Sequence, residues 1–432
     1  MQEYLEKDHG NESRVMLLPR ERLRLLYEDV SDAERAEVLA ELGPLTAVFS
    51  RFLQAERAVE PLDGRALAAL FDACGDPGRS PEELLGILRM LAPAGGRVGQ
   101  RQVNWLVDRL RARVAAHLER EIGSFELLPH DHAFGSGGDF CKTAHATTAA
   151  SIVAAPLRPI CKTGTNNVTS EHGSAQAATQ MGYRSSRFDP RRINEELGAG
   201  GFAFVPLASL GFPYSDALRQ ARRLLWEEAH AALRRAHRAG TAGWASVVRR
   251  TRIPLDILKI VSPNAQVLGP RRHATGVCHL DMLPFVLGIF LHLGASGIIA
   301  HAYDGIDEIS NASSDRSGAP NNLVVELGPE RVEVAELGPE HLGLARVGLA
   351  AIREERRLAD EVATLRRIVA GDERGPKRDF VVANAGALLA MGEPPAGGAP
   401  DLLGRLREGI RLAQRTIDSG AALSSLTRWA AA

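Results

Sequence analysis

The sequence predicts an α/β protein, with a small, mainly helical domain over residues 1–126 and a larger α/β domain over 127–432 on a central, mostly parallel sheet. Three observations predict it. At 432 residues the chain exceeds the usual reach of one hydrophobic core, which favours one large and one small domain. Residues 17–125 carry helix-length apolar periodicity with few strand signals. From about residue 127, short β-rich runs alternate with helical stretches.

Taken in order, "RERLRLLYEDV", "SDAERAEVLAELG" and "SPEELLGILRMLA" read as amphipathic helices. Ser31 and Ser80 have the position of N-caps, each with a glutamate three residues on. "APAGGRVGQ" at 92–100 reads as a loop. The stretch 177–200 is a candidate to pack with the helical domain. Residues 211–252 form an insertion dense in arginine, "ALRQARRLLWEEAHAALRRAHRAG" at its centre. It reads either as a solvated helix with i,i+4 Glu–Arg support or as a helix turning some arginines to an anionic ligand. Around 276–280 "GVCHL" reads as a strand, "DMLPFVLGIFLHLG" as a helix and "GIIAHA" as a second strand. Strand, helix and strand of these lengths form a right-handed βαβ unit, hence a parallel sheet. "NLVVELG" and "RVEVAEL" follow as a hairpin around Gly328–Pro329, and "GEPPAGGAP" at 392–400 as a surface loop before the amphipathic "DLLGRLREGIRLAQRTIDSG".

Composition excludes some function classes. A net charge of −1 carries no overall bias toward nucleic acid or an anionic membrane. Cys74, Cys141, Cys161 and Cys278 lack CxxC or zinc spacing, which suggests a reducing compartment. The N-terminus is charged from its start, without a secretory apolar region. The most apolar stretch, 282–300, contains Pro284 and His292 and reads as a buried helix and strand rather than a membrane span. A cytoplasmic protein is expected, with neither a nucleic-acid nor a membrane partner.

Three segments carry chemistry. In "GSGGDFCKTAHATTAASIVAA" (135–155), Gly135, Gly137 and Gly138 allow a backbone turn that admits a ligand close to main-chain N–H groups. A helix starting near Ala144 would aim its positive end at the same place, a recipe for binding phosphate. Thr143, Thr147 and Thr148 offer hydroxyl donors, and Asp139 suits a bridge through Mg²⁺ or water or an acceptor role toward ligand hydroxyls. In "KTGTNNVTSEHGSAQ" (162–176), Lys162 supplies a point charge among small donors before a helix opened by Gly173, as a polyanionic sugar phosphate requires. In "HAYDGIDEIS" (301–310), Asp307 and Glu308 follow a predicted strand as hard oxygen ligands for Mg²⁺.

Together these segments resemble the anthranilate phosphoribosyltransferase family. The family's GTGGD turn and NxST element stand here as "GSGGD" and "HATT", its KHGNRxVSSKSGSAD loop as "KTGTNNVTSEHGSAQ", and its HGxDGLDE loop as "HAYDGIDE". "RDFVVANAGALL" and "TIDSGAAL" also fit. The resemblance runs from about 127 to the end, interrupted near 211–250. It implies the nucleoside phosphorylase/phosphoribosyltransferase-like (class III) fold, Mg²⁺, phosphoribosyl pyrophosphate (PRPP) as donor, and a homodimer through the helical domain. Carried over by position, the resemblance puts Gly135, Gly137, Gly138 and Asp139 at PRPP, with Thr143, Thr147 and Thr148. His145, at the family's asparagine, Lys162, Ser170 and Ser174 complete that set. Thr147, Asp307 and Glu308 fall at metal-binding positions.

The acceptor side departs from the family. Thr163 and Thr165 replace a histidine and an asparagine in the acceptor stretch that also holds Gly164 and Asn166. The family's RTIFNxLGPLxNP appears as "RIPLDILKIVSPN", with Asp256 for the asparagine and Leu258-Lys259-Ile260 for LGP. The family arginine that grips the anthranilate carboxylate falls on or near Ser246. Replacing a bidentate arginine is not conservative for carboxylate binding, so the expected acceptor is an aromatic acid or amine other than anthranilate, or anthranilate bound differently. His172 is a candidate acceptor-side base or a helix-start histidine in contact with solvent. If protonated, His145 would donate more strongly to diphosphate. Two other readings stand beside transfer from PRPP. A nucleoside phosphorylase would not need the carboxylates of "DGIDE", and a non-catalytic nucleic-acid-binding relative would use the arginine-rich face.

Overall fold

The computed structural model describes residues 14–93, 97–133, 135, 138–166, 172–184, 187–212, 215–315, 317–392 and 401–431. The loop at 393–400 and the centre of the 92–100 loop lie outside these. The strands are β1 (Arg14–Pro19), β2 (Asp131–Ala133), β3 (Ile160–Gly164), β4 (Phe202–Pro206), β5 (His273–Gly276), β6 (Gly297–Ala302), β7 (Asn322–Leu327) and β8 (Arg331–Leu337). They form one eight-stranded sheet in the order β1-β8-β7-β6-β5-β2-β3-β4. β4, β3, β2, β5 and β6 pair in parallel, while β7, β8 and β1 extend the sheet antiparallel. The expected βαβ unit is present as β5, the helix Leu283–His292 and β6. The hairpin expected from "NLVVELG" and "RVEVAEL" is β7–β8.

Side chains alternate across this sheet, as the pleat requires. In β7, Leu323, Val325 and Leu327 enter one core and Val324 the other; in β4, Ala203 and Val205 face one way and Phe202 and Phe204 the other. The first core lies under the N-terminal helices, the Arg-rich helix Asp216–Ala239 and the helices Ile257–Asn264 and Leu283–His292. The second lies under Ala146–Ala154 and the C-terminal helices Leu358–Ala370, Pro376–Ala390, Leu402–Asp418 and Ala421–Ala431. The helix starts expected at Ser31 and Ser80 are capping boxes closed by Glu34 and Glu83. Among the described residues, no helix is long and apolar enough to cross a membrane.

The structure corrects three expectations. "RVMLLP" at 14–19 is an edge strand of the large sheet, so the first 126 residues are not all outside it. The Arg-rich segment shares one core with the N-terminal helices through Leu218, Leu225 and Leu233, so it is part of the helical layer rather than an appended insertion. The segment 177–200 meets the helical layer as expected, Phe188, Ile193 and Leu197 sharing its core, and the helix Pro190–Gly200 also packs on β4 and the helix Ala421–Ala431. Finally, the strand expected at 276–280 is β5 at 273–276. Its last residue, Gly276, lies where a Cβ would fall 1.6 Å from the Asp307 carbonyl oxygen, and the chain goes on to a 3-10 helix at Leu280–Met282.

Candidate active site

In the parallel part of the sheet, β2 leads through β3 to β4 on one side, while β5 and β6 lie on the other. The reversal between β2 and β5 makes a crevice at the carboxyl ends of the strands, the usual ligand site of such sheets. The glycine turn leaves β2, the 165–166 segment leaves β3 and the 303–308 loop leaves β6. All three line one cleft of about 930 Å³, including its open mouth.

Two of these loops are bonded to each other. The Asp307 N–H donates to Asp139 Oδ1 at 2.9 Å, and the Thr143 hydroxyl donates to Asp139 Oδ2 at 2.9 Å. The Phe140 N–H donates to the Gly305 carbonyl at 3.0 Å. Gly138 has φ +92°, a conformation that favours glycine, and a Cβ there would sit 1.5 Å from Lys259 Nζ, so the lysine tip occupies the space a side chain would take. The helix Ala146–Ala154 starts with His145 as its N-cap residue.

Asp139, Asp307 and Glu308 each place a carboxylate oxygen within 4.8 Å of the others. Burial and the neighbouring Asp307 and Glu308 carboxylates push the Asp139 carboxyl well above the usual carboxylate range. Burial and Asp307 do the same to Glu308, against the charge of Lys162. Glu308 Oε2 is buried without a hydrogen bond. Three crowded hard oxygen donors with an orphaned lone pair fit a divalent cation such as Mg²⁺. Lys162, 1 % exposed on β3, donates to the Thr147 hydroxyl at 2.9 Å. Burial pushes it down to about 8, and Glu308 and Asp307 act the other way.

Of the residues expected at PRPP, Gly135, Gly138, Asp139, Thr143, His145, Thr147, Lys162 and Ser174 line the cleft. Gly137 and Ser170 lie outside the described residues. Thr148 is fully buried one helical step round from Thr147, off the cleft lining, and this corrects its expected role. Burial, with His172 and Lys162 nearby, lowers His145 to about 4; it is neutral near pH 7 rather than a charged donor. Of the acceptor set, Gly164, Thr165 and Asn166 line the cleft. Thr163 does not: alternation on β3 turns it away from Lys162 and Gly164, and its hydroxyl lies 3.0 Å from His132 Nε2. His172 is also off the lining, its ring 3.2 Å from the Arg356 carbonyl.

The helical layer supplies residues that the sequence reading missed: Arg222, Leu258, Lys259, Ser262 and Pro263 line the cleft, as does Lys142 beside the turn. Arg222 Nε donates to Asp256 Oδ2 at 2.7 Å, and Lys142 sits 4.4 Å above the Trp226 ring. Arg222 thus faces the cleft, while Arg219 and Arg223 pair with Asp216 and Glu227 nearer solvent. The solvated reading fits Arg219 and Arg223, while Arg222 reaches the cleft wall already paired with Asp256. Two indole N–H groups from this segment pin the site loops, Trp226 on the Gly138 carbonyl at 2.8 Å and Trp244 on the Asp304 carbonyl at 3.0 Å. The available signal was two of only four tryptophans falling in an arginine-rich stretch.

The family described as "Glycosyl transferase family, a/b domain" matches residues 236–423. The anthranilate phosphoribosyltransferase of Leifsonia xyli subsp. xyli is 30% identical over 307 residues, covering 69% of this chain and 76% of that protein. That of Rubrobacter xylanophilus is 29% identical over 386 residues, covering 87% and 95%. Among solved structures, anthranilate phosphoribosyltransferase from Thermus thermophilus aligns with a TM-score of 0.59 at 24% identity, covering 89% of this chain and 98% of that chain. The one from Saccharomyces cerevisiae, solved in complex with PRPP and Mg, aligns at 0.56 and 16% identity, covering 84% and 90%. At such identities the structural likeness speaks for the fold.

Proposed function

Because the chain belongs to the anthranilate phosphoribosyltransferase family and is a phosphoribosyltransferase, we propose that it moves the 5-phosphoribosyl group of PRPP, with Mg²⁺, onto an aromatic acid or amine, releasing diphosphate. The observation that carries this reading is the joining of the glycine turn to the 307–308 loop through Asp139. The yeast relative solved with PRPP and Mg supports it.

In this reading the glycine turn and the first turn of Ala146–Ala154 cradle the phosphates with main-chain N–H groups and the hydroxyls of Thr143 and Thr147. Lys162 adds positive charge from the floor of the cleft. Asp139, Asp307 and Glu308 hold Mg²⁺, with Thr147 beside them. Bound there, Mg²⁺ supplies charge neutralisation for the departing diphosphate. The cleft fixes C1 of the ribose toward the acceptor, so positioning rather than a strong base drives the transfer. Neutral His145 donates or accepts one hydrogen bond at the phosphate end without adding charge.

The acceptor departs from anthranilate, or anthranilate binds in a new way. Ser246, where the family arginine falls, lies on the short helix Trp244–Arg250 and does not line the cleft. The same reading includes a homodimer through the helical layer and a cytoplasmic setting. The test is diphosphate release from PRPP and Mg²⁺ with a panel of aromatic acids and amines that includes anthranilate. At least one acceptor should support turnover, and Asp307→Asn with Glu308→Gln should abolish it. Full turnover in that double variant sinks the assignment of the carboxylates.

A further inference from the structure

We propose that Lys259 recognises the acceptor by binding a carboxylate on it, so that the acceptor is an aromatic carboxylic acid; the inference rests on the phosphoribosyl-transfer reading above. Lys259 stands on the helix Ile257–Asn264 and is 5 % exposed. Its ammonium reaches the cleft hard against Gly138, whose missing side chain makes room for it. That ammonium makes no hydrogen bond or ion pair with any of the described residues.

The other cations of the cleft are each engaged. Arg222 is held by Asp256, Lys142 lies on the Trp226 ring, and Lys162 bonds Thr147 below the acidic trio. The stem of Lys259 is buried while its ammonium opens on the cleft, and an ammonium with no acceptor among the described residues is free to take one from a ligand. The ligand group that completes it is an oxyanion. Two oxyanions enter this cleft in the proposed reaction: the donor's diphosphate and any carboxylate on the acceptor.

The surroundings favour the second. The strand-end loops already provide the glycine turn, Lys162 and the three carboxylates for a metal–diphosphate pair. Lys259 comes instead from the helical layer, where Leu258 and Pro263 flank it on the cleft wall. An apolar flank beside one buried ammonium suits a flat ring bearing a carboxylate. A lysine provides a point charge, so it accepts carboxylate geometries that a bidentate arginine would reject.

The test is calorimetric titration of the full-length protein, loaded with PRPP and Mg²⁺, with benzoate and with the neutral isostere benzamide. Wild type should bind benzoate at least about tenfold tighter than benzamide, the worth of one charge-assisted hydrogen bond. Lys259→Met should erase that preference while PRPP affinity stays within about twofold. Lys259→Arg should keep part of the preference, and thermal melts of each variant establish that it is folded. Should Lys259→Met misfold, Lys259→Gln takes its place in the same comparison. An intact benzoate preference in the folded Met or Gln variant overturns the proposal. So does weakened PRPP binding with the preference unchanged, which assigns Lys259 to the donor. Failure of wild type to bind PRPP with Mg²⁺ is a separate result: it removes phosphoribosyl transfer itself, and the acceptor role with it.

Discussion

Glu308 shows how one side chain trades stability for chemistry. Burial and Asp307 hold its carboxyl above the usual range, so above about pH 4.5 the folded state binds more protons than the unfolded one. Stability from this group is therefore lost as pH rises from about 4.5, the ordinary carboxyl value, through the raised folded value. In chelator the wild type carries more of this penalty as the pH rises toward 8. We expect Glu308→Gln to melt at a higher temperature than wild type at pH 8 in chelator, and the gap to close near pH 4.5. Mg²⁺ should raise the wild-type melting temperature at pH 8 and raise that of the variant far less. Thermal melts with Mg²⁺ and with chelator at both pH values decide this. At this scale the donor side was largely legible: Asp139, Lys162, Asp307 and Glu308 stand in contiguous motifs whose spacing carries their meaning. Thr148 and Thr163 were misplaced because their motifs are right while the helix and strand periods turn them away from the cleft.

Among elements, the Arg-rich helix Asp216–Ala239 does the most for the site. Trp226 ties it to the glycine turn through the Gly138 carbonyl and stacks on Phe140 at 6.2 Å. Trp226→Phe keeps an aromatic ring in that stack but removes the indole donor, worth about 1 kcal/mol. We expect kcat/KM for PRPP to fall about tenfold, with a melting temperature lowered by only a few degrees, because the loss acts on the turn's geometry more than on the core. Steady-state kinetics beside a melt separates the two effects, and an unchanged kcat/KM would show the turn to be rigid without the helix. Helices with their own caps, at Ser31 and Ser80, were readable because the signal lies within four residues. β1 was not, since a six-residue edge strand owes its state to pairing with β8. β5 was read a few residues late because its bounds are set by pairing with β2 and β6 rather than by its own residues.

For the molecule as a whole, the sheet divides two cores, and the site lies where both helical layers meet the strand ends. Because the Arg-rich helix shares its core with the N-terminal helices, truncating Leu225 should be felt throughout the helical layer. Leu225→Ala is expected to cost about 2–5 kcal/mol in urea unfolding, the range for a fully buried leucine. A cost below about 0.5 kcal/mol would instead mark this helix as an appended, solvated insertion. The sequence by itself determined the α/β class, the order of the donor motifs and the pairing of a glycine turn with a carboxylate loop. The motifs themselves are local, because backbone conformation and ligand chemistry constrain neighbouring residues directly, and the pairing of the two loops followed from their shared ligand chemistry. Only the tertiary structure decided that Asp139 joins Asp307 and Glu308, that Trp226 reaches a carbonyl 88 residues away, and which cations line the acceptor wall. Those contacts depend on how two helices lie across a sheet, a geometry set by the packing of whole faces that no short stretch of sequence contains.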